Sequence, residues 1–148
     1  SNMSSKLERA AVIHGIRQAY EEDIGMKLDL VSRLHDNVEH RVALAMAMIP
    51  YAIKISVARE LGKHHATISH YVKEHQPMME YYPSYVVKYV NAVRIAEIVS
   101  EATGVLPMTN NYEMSLESQI STYRASVVML QRKIKKMEAI LATREPSD

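Results

Sequence analysis

Apolar positions along this chain recur every three to four residues and nowhere alternate over a useful length, a pattern that predicts helices and no sheet. Ser4 or Ser5 is expected to cap a first helix reaching about Glu22, with Leu7, Ala11, Ile13, His14, Ile16 and Tyr20 near its inner side and Gly25 as its breaker. A short helix is expected next, with Asp29 near its start and Leu30, Val31 and Leu34 packed inward, followed by a polar loop His35-Asp36-Asn37. Lys27 to Arg33 would pass for a strand, but nothing else in the chain offers it a partner. From Val38 or Glu39 the run Arg41 to Ile49 is apolar almost all round, which marks a buried central helix that ends or kinks at Pro50.

Ser56 to Lys73 reads as two short helices broken at Gly62. Ser56 is the expected N-cap of the first, Val57, Ala58 and Leu61 form its apolar face, and Gly62 supplies the left-handed residue that ends it. The second starts near His64 or His65 and buries Ile68, Tyr71 and Val72, at i, i+3 and i+4. Gln76-Pro77 is expected to interrupt the chain, Tyr81-Tyr82-Pro83 to connect, and Ser84 to cap a helix reaching about Ala102 and closed by Gly104.

After a linker containing Pro107 and Asn110-Asn111, the period changes. Leu116, Ile120, Tyr123, Val127, Leu130, Ile134, Met137 and Leu141 alternate spacings of four and three, a heptad repeat. Ile120, Val127, Ile134 and Leu141 stand at a and the other four at d. β-branched residues at a favour a parallel two-stranded coil, in which Lys133 at g faces Glu138 at e of the partner. The expected organisation is therefore an all-α chain: a compact multi-helix domain over 4–104, a linker over 105–112, and a coiled-coil-like helix over 113–143. The alternative for the last helix is a long amphipathic element folded back on its own domain.

Composition narrows the function. The 148 residues contain no cysteine, which excludes a disulfide framework and a thiolate zinc site. No apolar run approaches the roughly 20 residues of a membrane span, so the expectation is a cytoplasmic protein without a membrane partner. A net charge of +1 does not announce a nucleic-acid partner, and the argument must be local. Segment 33–75 is mildly basic, with Arg33, Arg41, Lys54, Arg59, Lys63 and Lys73 against Asp36, Glu39, Glu60 and Glu74. It also holds six of the seven histidines, whose protonation would make it strongly basic.

The layout around Gly62 is that of a helix-turn-helix, whose second helix enters the DNA major groove by its N-terminal part. Lys63, His64, His65, Thr67, Ser69 and His70 occupy that entrance or its outer faces, and Lys54 adds a cation just upstream. Together with the preceding helix, this order of features resembles the C-terminal DNA-binding domain of the bacterial replication initiator DnaA. In that family an amphipathic helix leads to a short second helix and a polar loop. An arginine then opens an Ala/Met-rich helix, and the recognition helix begins Gly-Arg-Asp-His-Thr-Thr-Val with a histidine two residues later. Here Ile13 to Leu34 resembles the opening pair, Arg41 to Ala47 the arginine-led helix, and Gly62 to His70 the signature, over roughly residues 11–98.

The resemblance implies that His65 reads bases, that Arg41 reaches the minor groove or the backbone, that Lys63 and Thr67 touch phosphates or the groove edge, and that His70 supports the helix. His64 stands where the family has aspartate and Ala66 where it has its first threonine. A histidine can donate to guanine where an aspartate accepts from cytosine, so the usual DnaA box does not carry over. No Gly-x-x-x-x-Gly-Lys-Ser/Thr occurs among only four glycines, so the ATPase is absent from this chain. The expectation is a dimeric, sequence-specific reader of double-stranded DNA in replication or transcription regulation, in a bacterial or phage setting, with no cofactor and no small-molecule substrate.

Two rivals belong to other classes. His64, His65, His70 and His75 lack the i, i+4 spacing and the HExxH pattern of a helical metal site, so neither metal nor catalysis is expected. The other rival is an interaction platform that uses the C-terminal coil. Tyr81, Tyr82, Tyr85 and Tyr89 would then form a binding patch, although a helix-packing edge is the preferred reading.

Overall fold

A computed structural model describes residues 2–144; the side chains of residues 2–4, 109–116, 118, 119 and 122 fall outside that description. Six helices follow one another: α1 (Asn2–Ile24), α2 (His35–Met48), α3 (Lys54–Glu60), α4 (His65–Tyr81), α5 (Pro83–Thr103) and α6 (Thr109–Arg144), with no strand among the described residues. The central helix is α2, as its all-round apolar sequence dictates. Every residue from Glu39 to Ala52 is buried, and α5, α4 and α1 pack around it. Tyr20, Tyr85, Tyr89, Ile13, Ile16 and Met48 complete the core, and burying each such side chain contributes about 1.5–3 kcal/mol. At Pro50 the helix ends rather than kinks.

The short helix expected after Gly25 does not form. The Asp29 carboxylate accepts from the backbone N–H of Val31 (2.9 Å) and Ser32 (2.8 Å), and the Ser32 hydroxyl accepts from Leu34 N–H. These local bonds compete with helical ones and fix the segment as a turn-rich loop. Leu28 is buried and Leu30 half-buried, whereas Val31 and Leu34 face solvent. His35-Asp36-Asn37 is not a loop but the first turn of α2, where Asp36 meets the positive end of the helix dipole.

Three other boundaries move. Ser56 lies inside α3, whose N-cap is Ile53, and Ser84 lies inside α5, where Pro83 takes the first-turn position that suits proline. The Ser84 hydroxyl donates instead to Glu39 (2.8 Å). Pro77 does not interrupt α4: the helix passes through it, because Met78 and Met79 just beyond are buried in the core and hold the last turn in place. The α1 helix begins at Asn2, ahead of the expected serine caps.

The expected linker is short and pinned, with α6 already under way at Thr109. Arg9 donates to the carbonyls of Tyr51 (2.9 Å) and Leu106 (3.0 Å), Met108 N–H donates to Pro50 (2.8 Å), and the Ser100 hydroxyl donates to Val105 (2.7 Å). From this strap α6 packs on α5 and α4 through Ala125 and Met129, with Ser121 beside them. The heptad residues lie elsewhere. Ile120, Tyr123, Val127, Leu130, Ile134, Met137 and Leu141 are between 51% and 63% exposed, and the Leu116 side chain is outside the described residues. The helix thus folds back on its domain by one face and presents the apolar stripe on another.

Candidate nucleic-acid interface

The turn between α3 and α4 is built by a glycine-terminated helix end. Gly62 adopts φ +62°, its N–H donates to Arg59 O (3.2 Å), and Lys63 N–H donates to Ala58 O (2.8 Å). This paired pattern is the Schellman motif, which needs a left-handed residue at its centre. Leu61 is fully buried at the corner. The α4 helix then starts with His64 as N-cap, in an extended conformation, its Nδ1 accepting from Ala66 N–H at 3.2 Å. A neutral ring that accepts at Nδ1 carries its proton on Nε2, which leaves a donor facing outward. The His65 ring lies 4.2 Å from that of His64, centroid to centroid.

Ile68, Tyr71, His75, Met78 and Met79 bury one side of α4. On the other side His65, Ala66 and His70 are exposed and Thr67 and Ser69 half-buried, so the structure brings these expected residues together on the early turns of one helix. Lys63 is half-buried in the turn and Lys54 exposed at the start of α3. His70 is exposed on α4 and approaches Glu74, four residues on, at 3.9 Å. Arg59, to which sequence reasoning assigned no role, is exposed in the last turn of α3; its charge beside the glycine was the available signal. The neighbouring Glu60 turns away, its carboxylate 2.5 Å from His14 Nδ1 on α1 and its carbonyl accepting from Arg17 (2.6 Å). Lys54, Arg59 and Lys63 form no ion pair among the described residues.

Arg41 does not belong to this face. It is buried, its guanidinium donates to Asp29 O at 2.7 Å, and its Nε donates to the Tyr71 hydroxyl at 3.4 Å. Arg41 therefore positions the α1–α2 loop and α4 from within and cannot reach a groove. The same loop abuts the turn: Leu30 lies 3.8 Å from where a Cβ on Gly62 would stand. The Asp29 carboxyl is held below the usual range by the Ser32 and Val31 N–H groups, with smaller help from Arg41 and Lys63.

The histidine-rich segment divides by burial. His75 is buried, its Nδ1 2.6 Å from the Tyr85 hydroxyl, and burial lowers its pKa to about 4. His40 is likewise lowered by burial, with the Tyr20 hydroxyl 2.6 Å from its Nδ1. Burial raises both tyrosines, so each hydroxyl stays protonated beside its histidine. His35 is taken up by Glu39 (2.9 Å). Of the six, His35, His64, His65 and His70 remain exposed, and His64, His65 and His70 are the three at the turn and on α4.

Glu39 itself is a buried hub that binds Lys88 and Ser84, each at 2.8 Å. Burial pushes its carboxyl up, but those hydrogen bonds outweigh burial and hold it below the ordinary range. The expected tyrosine edge also divides, since Tyr85 and Tyr89 are core residues and Tyr81 and Tyr82 are exposed. Among the described residues no group of three or more His, Cys, Asp or Glu is placed to hold a metal ion, and no helix is long and apolar enough to cross a membrane. Compared with protein-family models, curated proteins and solved structures, the chain matches none.

Proposed function

We propose that this chain binds double-stranded DNA at specific sequences through α3, the Gly62 turn and α4, with the first turns of α4 in the major groove. The division of α4 carries this reading. Its inner side is committed to the core, while His64, His65, Ala66, Thr67, Ser69 and His70 gather at its start, flanked by Lys54, Arg59 and Lys63. No carboxylate precedes Glu74 on this helix, so nothing repels phosphate there. A helix so furnished fits the roughly 12 Å major groove and offers donors to guanine and adenine edges.

The protein acts as a homodimer paired along α6, so that two readers occupy two half-sites and double the phosphate contacts. The exposed stripe from Ile120 to Leu141 supports that pairing. Such a reader serves replication or transcription regulation in the cytoplasm, at the nucleoid. It is tested by selecting bound sequences from a random duplex library with wild type, Lys63→Ala and His65→Ala, and by sedimenting the complex. An enriched motif with two half-sites, bound by two chains and lost in both variants, is the expected result. No enrichment would overturn it in favour of an interaction platform, a reading favoured by the exposed α6 stripe together with Tyr81 and Tyr82.

A further inference from the structure

Charge is distributed unevenly along this chain. Residues 1–104 hold twelve Lys and Arg against twelve Asp and Glu, whereas residues 118–144 hold six cations and a single carboxylate, Glu138. Three of these cations, Arg132, Lys135 and Lys136, fall on one side of α6. Counting along the helix, Ser121, Ala125, Val128 and Met129 stand at i, i+4, i+7 and i+8 on the face that meets α4 and α5, and Arg132 ends that contact beside Gln76 and Glu80. Continuing on the same face come Lys135 and Lys136. Where the helix leaves its domain, small and apolar residues thus give way to cations, and every residue from Leu130 to Arg144 is exposed. Arg132, Lys135 and Lys136 form no ion pair among the described residues. The apolar stripe of Leu130, Ile134, Met137 and Leu141 runs along the opposite face, so pairing there leaves the cations free.

We propose that Arg132, Lys135 and Lys136 form a second, sequence-independent contact for the phosphate backbone of duplex DNA, separate from the helix-turn-helix. Three cations at helical spacing with no base-reading side chains among them match the regular charge of a duplex and supply affinity without specificity. An anionic lipid surface would use the same cations, but only with the apolar stripe immersed. That stripe keeps an unbroken heptad register with β-branched residues at three of its four a positions, the pattern of a coil seam rather than of a membrane-facing side. The inference stands without the α4 reading.

The test is a titration of the full chain with a random-sequence duplex over a range of salt. Each lost phosphate contact lowers the slope of log affinity against log salt by about 0.9. The variant R132Q/K135Q/K136Q is expected to lose about 2 to 3 of that slope and about tenfold or more in affinity at low salt. R132K/K135R/K136R should retain both, and K63A/H65A should still show the α6-dependent part. Circular dichroism and sedimentation check that helix content and oligomeric state are unchanged. Wild-type chain that does not bind the duplex, or a glutamine variant with an unaltered slope, would overturn the proposal. So would capture of wild type by phosphatidylserine vesicles that is lost in the glutamine variant while duplex affinity stays the same.

Discussion

The guanidinium of Arg41 holds the backbone carbonyl of Asp29 at 2.7 Å from inside the core, tying the central helix to the loop that backs the helix-turn-helix. An arginine that sequence order places at a DNA groove is here a tie between α2, the loop and Tyr71. Replacing Arg41 by alanine should cost about 2 kcal/mol of stability, since it removes charge-assisted bonds to the Asp29 carbonyl and the buried Tyr71 and empties a core position. Lys63→Ala, on the surface, should stay within about 0.5 kcal/mol of wild type. Urea unfolding of the two variants measures the contrast; equal stabilities would place Arg41 outside the core.

Gly62→Ala should destabilise by about 1–2 kcal/mol, because a side chain is forced into the left-handed region at φ +62°. Space is not the obstacle, as Leu30 stands at ordinary contact distance. Gly62→Asn should cost less, since asparagine tolerates this conformation. Thermal melts of the two variants would rank them, and an asparagine variant no better than alanine would point to a steric cause.

Stability should also fall in mild acid. The folded pKa of His75, about 4, lies below the value of 6.5 expected when the chain is unfolded. Between those values the unfolded chain takes up a proton that the native one refuses. The His75 contribution is therefore complete above pH 6.5 and is lost as pH falls toward 4, at about 1.4 kcal/mol per unit. His40 acts in the same direction. Glu39 and Asp36, both held low, add a further loss as pH drops through the carboxylate range. His75→Gln keeps an acceptor for the Tyr85 hydroxyl and should flatten the upper part of this profile. An unchanged profile in urea titrations at stepped pH would show that His75 titrates in the native state.

A lysine at an a position tests the seam. Val127→Lys and Ile134→Lys put a charge where pairing would desolvate it, so sedimentation should find the variants monomeric and the wild type dimeric. Both side chains are about half exposed in the single chain, so melting of the domain should be unaffected. A wild type that sediments as a monomer would leave the stripe for another partner.

The helices were legible where one periodicity governs: α2 from its apolar run, α4 and α5 from theirs, and the corner from Gly62. The segment 25–34 was not legible as a loop, because Leu30, Val31 and Leu34 carry a helical spacing that the Asp29 and Ser32 side chains override by bonding the backbone locally. Pro77 misled for the opposite reason, since the burial of Met78 and Met79 outweighs a broken backbone bond that local sequence alone weighs heavily. Among the candidate site residues, the exposed start of α4 followed from amphipathic counting. The burial of Arg41 did not, because it depends on a carbonyl twelve residues away in sequence.

The docking face and the apolar stripe share one unbroken α6, with Ala125 against the domain and Ile134, on the stripe, nine residues further along the helix. At about 100° per residue the two point in opposite directions, and no hinge between them can absorb an error. The helix therefore works as a gear shaft. Inserting a single residue between them would turn the domain by about 100° relative to the part of the stripe beyond the insertion, whereas inserting seven would return it nearly to its starting angle and move it about 10 Å along the axis. Length changes in this stretch are thus graded by their remainder after division by seven rather than by their size.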